Sequence, residues 1–92
     1  MALYAVILPK PTPAIVAEIK AKFAENDYYE ITPTQWLVSG QGTAKKISDM
    51  IGITAKEEET IGSGVVLAFN GYWGRGSTDM WEWMKAKIEE GS

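Results

Sequence analysis

The stretch VVLAFNGYWGRGSTD, residues 65–79, runs from an apolar segment through a glycine-rich loop into a polar segment. Residues 65–69 contain no polar side chain, which is typical of a strand covered on both faces. The loop carries two aromatic residues and a cation, and a helix is predicted to start at about Ser77. Apolar core, flexible backbone, aromatic rings and positive charge meet here, so we interpret the rest of the chain around this stretch.

The N-terminal part of the chain predicts a strand followed by a helix. Residues 3–8 form a second unalternated apolar run, which again indicates a strand covered on both faces. The proline-rich residues 9–13 stop it, and Thr12 is expected to cap a helix that Asn26-Asp27 ends. The apolar residues of this helix recur at helical spacing and are Ile15, Val16, Ile19 and Phe23.

The middle of the chain predicts a hairpin and a short helix. Residues 28–31 and 35–39 read as two strands joined by Thr32-Pro33-Thr34. Thr43 is expected to cap a helix from Ala44 to Ile51. Gly52, followed by the apolar Ile53, is typical of a left-handed helix stop. Residues 54–64, which are polar and acidic at Glu57-Glu58-Glu59, are interpreted as a solvated connection that is either irregular or partly helical.

The last predicted helix spans about residues 77–90. Its expected core residues are Met80, Trp81, Met84 and Ile88, with Trp83 and Lys87 beside them. Trp83 is expected either in an interface with another molecule or over the free face of the sheet.

This order of elements predicts one α+β domain over residues 1–92, a ferredoxin-like βαββαβ sandwich with an additional C-terminal helix. The expected sheet order is 4-1-3-2. Its first and last strands are apolar on both faces, yet the two crossover helices can cover only one face. We expect the C-terminal helix, a second copy of the chain, or both to cover the other face. Because a second copy is one of these, we also expect a homodimer.

The order, size and expected dimer resemble small ferredoxin-like dimers such as the CRISPR adaptation subunit and related toxin-type proteins. The resemblance covers most of the chain as a pattern of elements. It implies an acidic metal ligand at the end of the first strand in nuclease-like members of that group. Here Leu8-Pro9-Lys10 occupies that place, so no catalytic residue is inferred from the resemblance.

Two loops are expected at one end of the predicted sheet, because the strands before them run parallel to each other. Glycines let a ligand approach the backbone, and each loop leads into a helix N-terminus that favours anions. An arginine and aromatic rings add groups for phosphate and a planar base. The first hypothesis is therefore a nucleotide or other phosphate-bearing anion held by Gly40, Gln41, Gly42, Thr43, Lys45, Tyr72, Trp73, Arg75, Gly76 and Ser77.

Composition limits the other classes of function. The chain has no histidine and no cysteine, which disfavours an enzyme and a transition-metal site, and we expect no catalytic residue, metal or cofactor. A net charge of −3 disfavours nucleic-acid binding. Without a membrane span or signal peptide in the sequence, a cytoplasmic protein is expected. The alternative hypothesis is a protein–protein module, an inhibitor or adaptor, that uses Tyr72, Trp73, Trp83 and an apolar sheet face.

Overall fold

A computed structural model describes residues 2–54, 61–71, 74–75 and 78–90. Within these residues the fold is α+β, as predicted, with a four-stranded sheet and three α-helices. In chain order the elements are β1 (Ala2–Ile7), α1 (Pro13–Lys22), a 3₁₀ turn (Glu25–Asp27), β2 (Tyr28–Thr32), β3 (Gln35–Gly40), α2 (Ala44–Met50), β4 (Val65–Phe69) and α3 (Thr78–Glu90).

The sheet has the strand order β2-β3-β1-β4, and every neighbouring pair is antiparallel. Because β3 and β4 both run against β1, they run parallel to each other. Gly40 lies opposite Ala2, and Phe69 lies opposite Leu3. The C-terminal ends of β3 and β4 therefore lie at the same end of the sheet, as the sequence predicted.

One face of the sheet packs against α1 and α2. Alternate residues of β1, Tyr4 and Val6, point to this face and are fully buried. Their neighbours Leu3 and Ala5 point to the other face. The first core consists of Tyr4, Val6, Leu8, Ile15, Ile19, Phe23, Trp36, Val38, Ile47, Ile51 and Ile53.

The second face of the sheet packs against α3. Leu3, Leu37 and Met84 are buried there, and half-buried side chains surround them. The C-terminal helix thus covers part of the second face, which was one of the alternatives left open by the sequence. The surrounding side chains are Ala5, Tyr29, Phe69, Met80, Trp81 and Trp83.

The buried side of α3 differs from the predicted one. Met84 is buried as expected, but Ile88 is 39% exposed and Lys87 is only 4% exposed. The prediction for Ile88 is wrong because polar contacts fix the rotation of the helix. Trp83 Nε1 donates to the Asn26 carbonyl at 3.0 Å, and its ring packs on Tyr29 at a centroid distance of 6.1 Å. Trp83 therefore lies over the sheet face of its own chain.

The first helix also departs from expectation. It ends at Lys22 rather than at Asn26-Asp27, because Phe23 leaves the helical conformation (φ −121°, ψ 144°) and turns into the first core. The predicted end belongs instead to the 3₁₀ turn. Thr12 occupies the N-cap position, but its hydroxyl donates to the Lys10 carbonyl at 3.1 Å and does not cap the helix.

Both predicted ends of α2 are confirmed. The Lys46 amide donates to Thr43 Oγ1 at 3.1 Å, which is the expected cap. Gly52 has a φ of +90°, and the Ile53 amide donates back to the Ser48 carbonyl at 3.0 Å. This is a Schellman stop, in which glycine takes the left-handed position and the next apolar residue packs on the helix.

Candidate functional site

The segment after β3 lines a cavity on the side of the sheet that carries α1 and α2. A Cβ atom at Gly40 would lie 3.2 Å from the Phe23 ring and 3.3 Å from Ile47, so this position has little room for a side chain. Gly42 has a φ of +104°, a conformation that favours glycine. The cavity beside this segment has a volume of about 300 Å³ and is lined by Lys22, Phe23, Asp27, Ser39, Gly40, Gln41, Lys46, Ile47 and Met50.

Several groups that were assigned to anion binding in this segment already have partners. The Tyr4 hydroxyl donates to the Gly42 carbonyl, and the Thr43 hydroxyl caps α2. Lys45 Nζ lies 2.9 Å from Asp49 Oδ2, one helical turn away. These contacts explain the threonine and the lysine at this helix start without a ligand.

Asp49 is held in its charged form by its neighbours. The Thr54 hydroxyl lies 2.5 Å from Asp49 Oδ1. This hydrogen bond and the ion pair with Lys45 lower the pKa of the Asp49 carboxyl below its ordinary value. The carboxylate thus links Lys45, in the first turn of α2, to Thr54, which follows the helix.

The described residues of the segment after β4 lie on the opposite side of the sheet. Gly71, Gly74 and Arg75 line a groove between the second sheet face and α3. Arg75 is exposed, and no carboxylate of the described residues lies within ion-pair distance of it. The other predicted site residues of this loop, Tyr72, Trp73, Gly76 and Ser77, lie outside the described residues.

The two predicted loops thus share an end of the sheet but line different cavities. Gly40 and Gln41 lie with Lys46, whereas Arg75 lies with the side chains of α3. In the described part of the chain, the structure does not bring Gln41 and Arg75 into one cavity. The sequence could establish the end of the sheet, since that follows from strand direction, but not the face to which each loop turns.

The groove beside Arg75 is mainly apolar and has a volume of about 390 Å³. The sheet forms its floor, and the first two turns of α3 form one wall. A volume of this size lies within the range of ligand pockets, and Arg75 is the charged side chain among the described residues that line it. The lining residues are Ala5, Ile31, Leu37, Leu67, Phe69, Gly71, Gly74, Arg75, Met80, Trp81 and Met84.

Apolar sheet surface continues from this groove to a part of the face that α3 leaves open. Four aliphatic side chains are exposed there: Ile7 (42%), Ile31 (42%), Val65 (53%) and Leu67 (49%). Val65 lies opposite Ile7 in the sheet, and Leu67 lies opposite Ala5. We call these four residues the open sheet face. The sequence predicted an apolar face but did not single out these residues, because strand pattern does not show how far a helix extends across a sheet.

Two kinds of site are not found in the described residues. They contain no group of three acidic side chains placed to hold a metal ion. None of their helices has the length and apolar composition needed to cross a membrane.

The chain was compared with family models, curated proteins and solved structures, and none of them matches it.

Proposed function

We propose that this protein is a non-catalytic protein–protein interaction module, an inhibitor or adaptor, that binds its partner through the open sheet face. The observation that carries the proposal is the exposure of Ile7, Ile31, Val65 and Leu67 on one face. Isolated apolar residues are normal on a protein surface, but several exposed apolar residues on one sheet face beside an apolar groove are typical of an interaction site.

Removal of these exposed apolar side chains from water would favour binding through this surface. Full burial of an aliphatic side chain contributes about 1.5–3 kcal/mol. Leu67 and Val65 are about half exposed, so covering each contributes roughly 1 kcal/mol. Four such residues supply a useful part of the free energy of a specific complex, although ordering and desolvation offset some of it.

The proposal includes a ferredoxin-like arrangement and self-association. Counted from β4, the strand order is β4-β1-β3-β2, and the connecting helices α1 and α2 pack on one face. Both observations support the ferredoxin-like assignment. The proposed partner in self-association is a second copy of the chain, because part of the second face has no cover within the described chain.

The test uses a tagged chain expressed together with an untagged copy. Proteins retained by the wild type are identified by mass, and their affinities are then measured with purified components. Leu67→Lys is expected to weaken binding by about tenfold or more, since it removes apolar contact and buries a charge. Ile61→Lys is the matched control, because Ile61 is 40% exposed but is not part of the open sheet face.

Two results would contradict the interaction module. One is a wild-type chain that retains neither a second copy nor another protein. The other is equal binding by wild type, Leu67→Lys and Ile61→Lys, since that outcome would place the contact elsewhere on the molecule.

A second candidate function is binding of a nucleotide or other phosphate-bearing anion at the loop after β4. The exposed Arg75, which has no carboxylate partner among the described residues, supports it. Nucleotides, cyclic nucleotides and inorganic phosphate should raise the melting temperature with concentration. Arg75→Gln should abolish that rise, while Lys85→Gln on the exposed side of α3 should keep it. No rise with any of these anions would exclude this candidate.

A further inference from the structure

The two edge strands of the sheet differ in their protection against pairing with another strand. β4 reads VVLAF, without a charge or a proline. Its pairing with β1 continues without a register shift from Val65 to Phe69. None of its five residues is buried. In the described part of the chain no further strand pairs with the outer side of β4, and an apolar, regular edge of this kind favours the addition of another strand.

The opposite edge carries the features that normally prevent such pairing. β2 has Glu30 at its centre, and its register with β3 shifts between Glu30 and Thr32. Pro33 follows the strand directly. A charge, an irregular pairing and a proline all disfavour addition of another strand. Of the two edge strands that the structure describes, β2 therefore carries features that oppose strand addition, and β4 does not.

We propose that β4 pairs antiparallel with β4 of a second copy of this chain, with a two-fold axis at Leu67, which joins the two sheets into one of eight strands. This inference rests on the proposed interaction function and deepens it, because it names the partner and the contact. It adds the backbone hydrogen bonds of an edge strand to the apolar contacts of the open sheet face.

In this arrangement, two copies of β4 place apolar side chains opposite apolar side chains. A two-fold axis at Leu67 places Leu67 opposite its own copy, Val65 opposite Phe69 and Val66 opposite Ala68. On the second face, large apolar side chains therefore meet large ones, as favourable cross-strand pairs do. The same operation on β2 would place Glu30 opposite Glu30, and like charges in that position are destabilising.

Pairing at β4 also extends the open sheet face. Val65 and Leu67 lie on the outermost strand, next to Ile7 and Ala5 of β1. Two copies joined at β4 would bring these residues of both chains together on one side of the joined sheet. Leu67, which is half exposed in the single chain, would then lie at the centre of the contact, as expected for an isologous interface.

Single-cysteine variants test this geometry, because the chain has no cysteine of its own. In the proposed pair the two Cβ atoms at position 67 lie about 4.5–5.5 Å apart, close to the separation that a disulfide needs. Under mild oxidation, the full-length Leu67→Cys chain should form a covalent dimer at least about tenfold faster than Ile61→Cys, which is an exposed position outside β4.

A mixture of two variants tests the register. Val65→Cys combined with Phe69→Cys should form the mixed disulfide faster than either variant forms a disulfide with itself. Circular dichroism of each reduced variant confirms that the fold is kept, and Leu67→Lys, which places two like charges at the axis, should abolish self-association.

The outcomes separate this inference from the proposed function. If Leu67→Lys abolishes self-association but Leu67→Cys cross-links no faster than Ile61→Cys, β4 pairing is wrong and the open sheet face remains an interaction surface. If the wild type is monomeric and binds a different protein through Leu67, the second copy is the wrong partner. If neither self-association nor any partner is found, both proposals fail.

Discussion

Lys87 Nζ lies 2.9 Å from Asp27 Oδ1, in an ion pair between residues separated by 60 positions in the chain. The Lys87 side chain is 5% exposed and the Asp27 side chain is 25% exposed. The pair attaches α3 to the turn before β2. Because a buried ammonium group needs a partner, this contact helps to decide which side of α3 faces the sheet.

Removal of the carboxylate should cost more stability than removal of the amine. Asp27→Ala leaves Lys87 buried without this charge, and we expect a loss of about 2 kcal/mol in the free energy of unfolding. Lys87→Met keeps the apolar packing and leaves a carboxylate that water can reach, so the loss should be about 1 kcal/mol or less. Urea unfolding with an unchanged m-value measures both.

Lys45→Met is the control for this pair of variants, because its ion pair with Asp49 lies at the surface, with Lys45 81% exposed. An Asp27→Ala effect no larger than that of Lys45→Met would show that burial of Lys87 does not depend on Asp27.

The stop of α2 should depend on the missing side chain of Gly52. Its φ of +90° disfavours any residue with a Cβ atom, so Gly52→Ala should destabilise the protein by about 1–2 kcal/mol. Gly71→Ala is the matched control, because its φ is not in the left-handed range and a Cβ atom there would meet no described residue within 4 Å. Equal thermal unfolding of the two variants would contradict the assigned role of Gly52.

The carboxyl of Asp49 should titrate below its ordinary value of 3.8. The hydrogen bond from Thr54 is the largest cause and Lys45 the next, so Thr54→Val should raise the pKa more than Lys45→Met does. Because the folded-state pKa is lowered, the stabilisation is present above the unfolded-state pKa and is lost as pH falls through the folded one.

Carbon-detected NMR of the side-chain carboxyl follows this titration directly. A pKa of Asp49 that is the same in wild type and Thr54→Val would rule out the hydrogen bond as its cause.

A buried hydroxyl near the centre of the sheet should be dispensable. Ser39 is 2% exposed, and its Oγ has no hydrogen-bond partner among the described residues. Ser39→Ala should therefore leave stability unchanged or raise it by up to about 1 kcal/mol. Ser48→Ala is the comparison, because the Ser48 hydroxyl lies 2.9 Å from Thr54 Oγ1, and its loss should be destabilising. Destabilisation by Ser39→Ala would mean that its hydroxyl has a partner in solution.

Features set by neighbouring residues could be predicted from the sequence. The cap at Thr43 and the stop at Gly52 each depend on a few adjacent positions. The hairpin around Pro33 and the apolar strand Val65–Phe69 likewise follow from local pattern, and the structure confirms them. Strand direction then placed the ends of β3 and β4 correctly.

Features set by distant contacts could not be predicted in this way. Periodicity favoured Ile88 over Lys87 for the buried side of α3, because it takes no account of Asp27, 60 positions away. It also could not show that Phe23 leaves α1 early, or that Arg75 faces a groove on the side opposite Gln41. The pattern of β1 and β4 required cover for the second face but did not show where α3 would stop.

The position of α3 has a consequence for the order in which the protein forms during synthesis. It is the last described element to leave the ribosome, yet it packs over Leu3 and Leu37, which are made much earlier. Until α3 docks on the turn at Asn26 and Asp27, an incomplete chain lacks the contact of Met84 with Leu3 and Leu37. Translation that stalls before α3 should therefore yield an aggregation-prone, chaperone-dependent product, although every described strand of the sheet is already present.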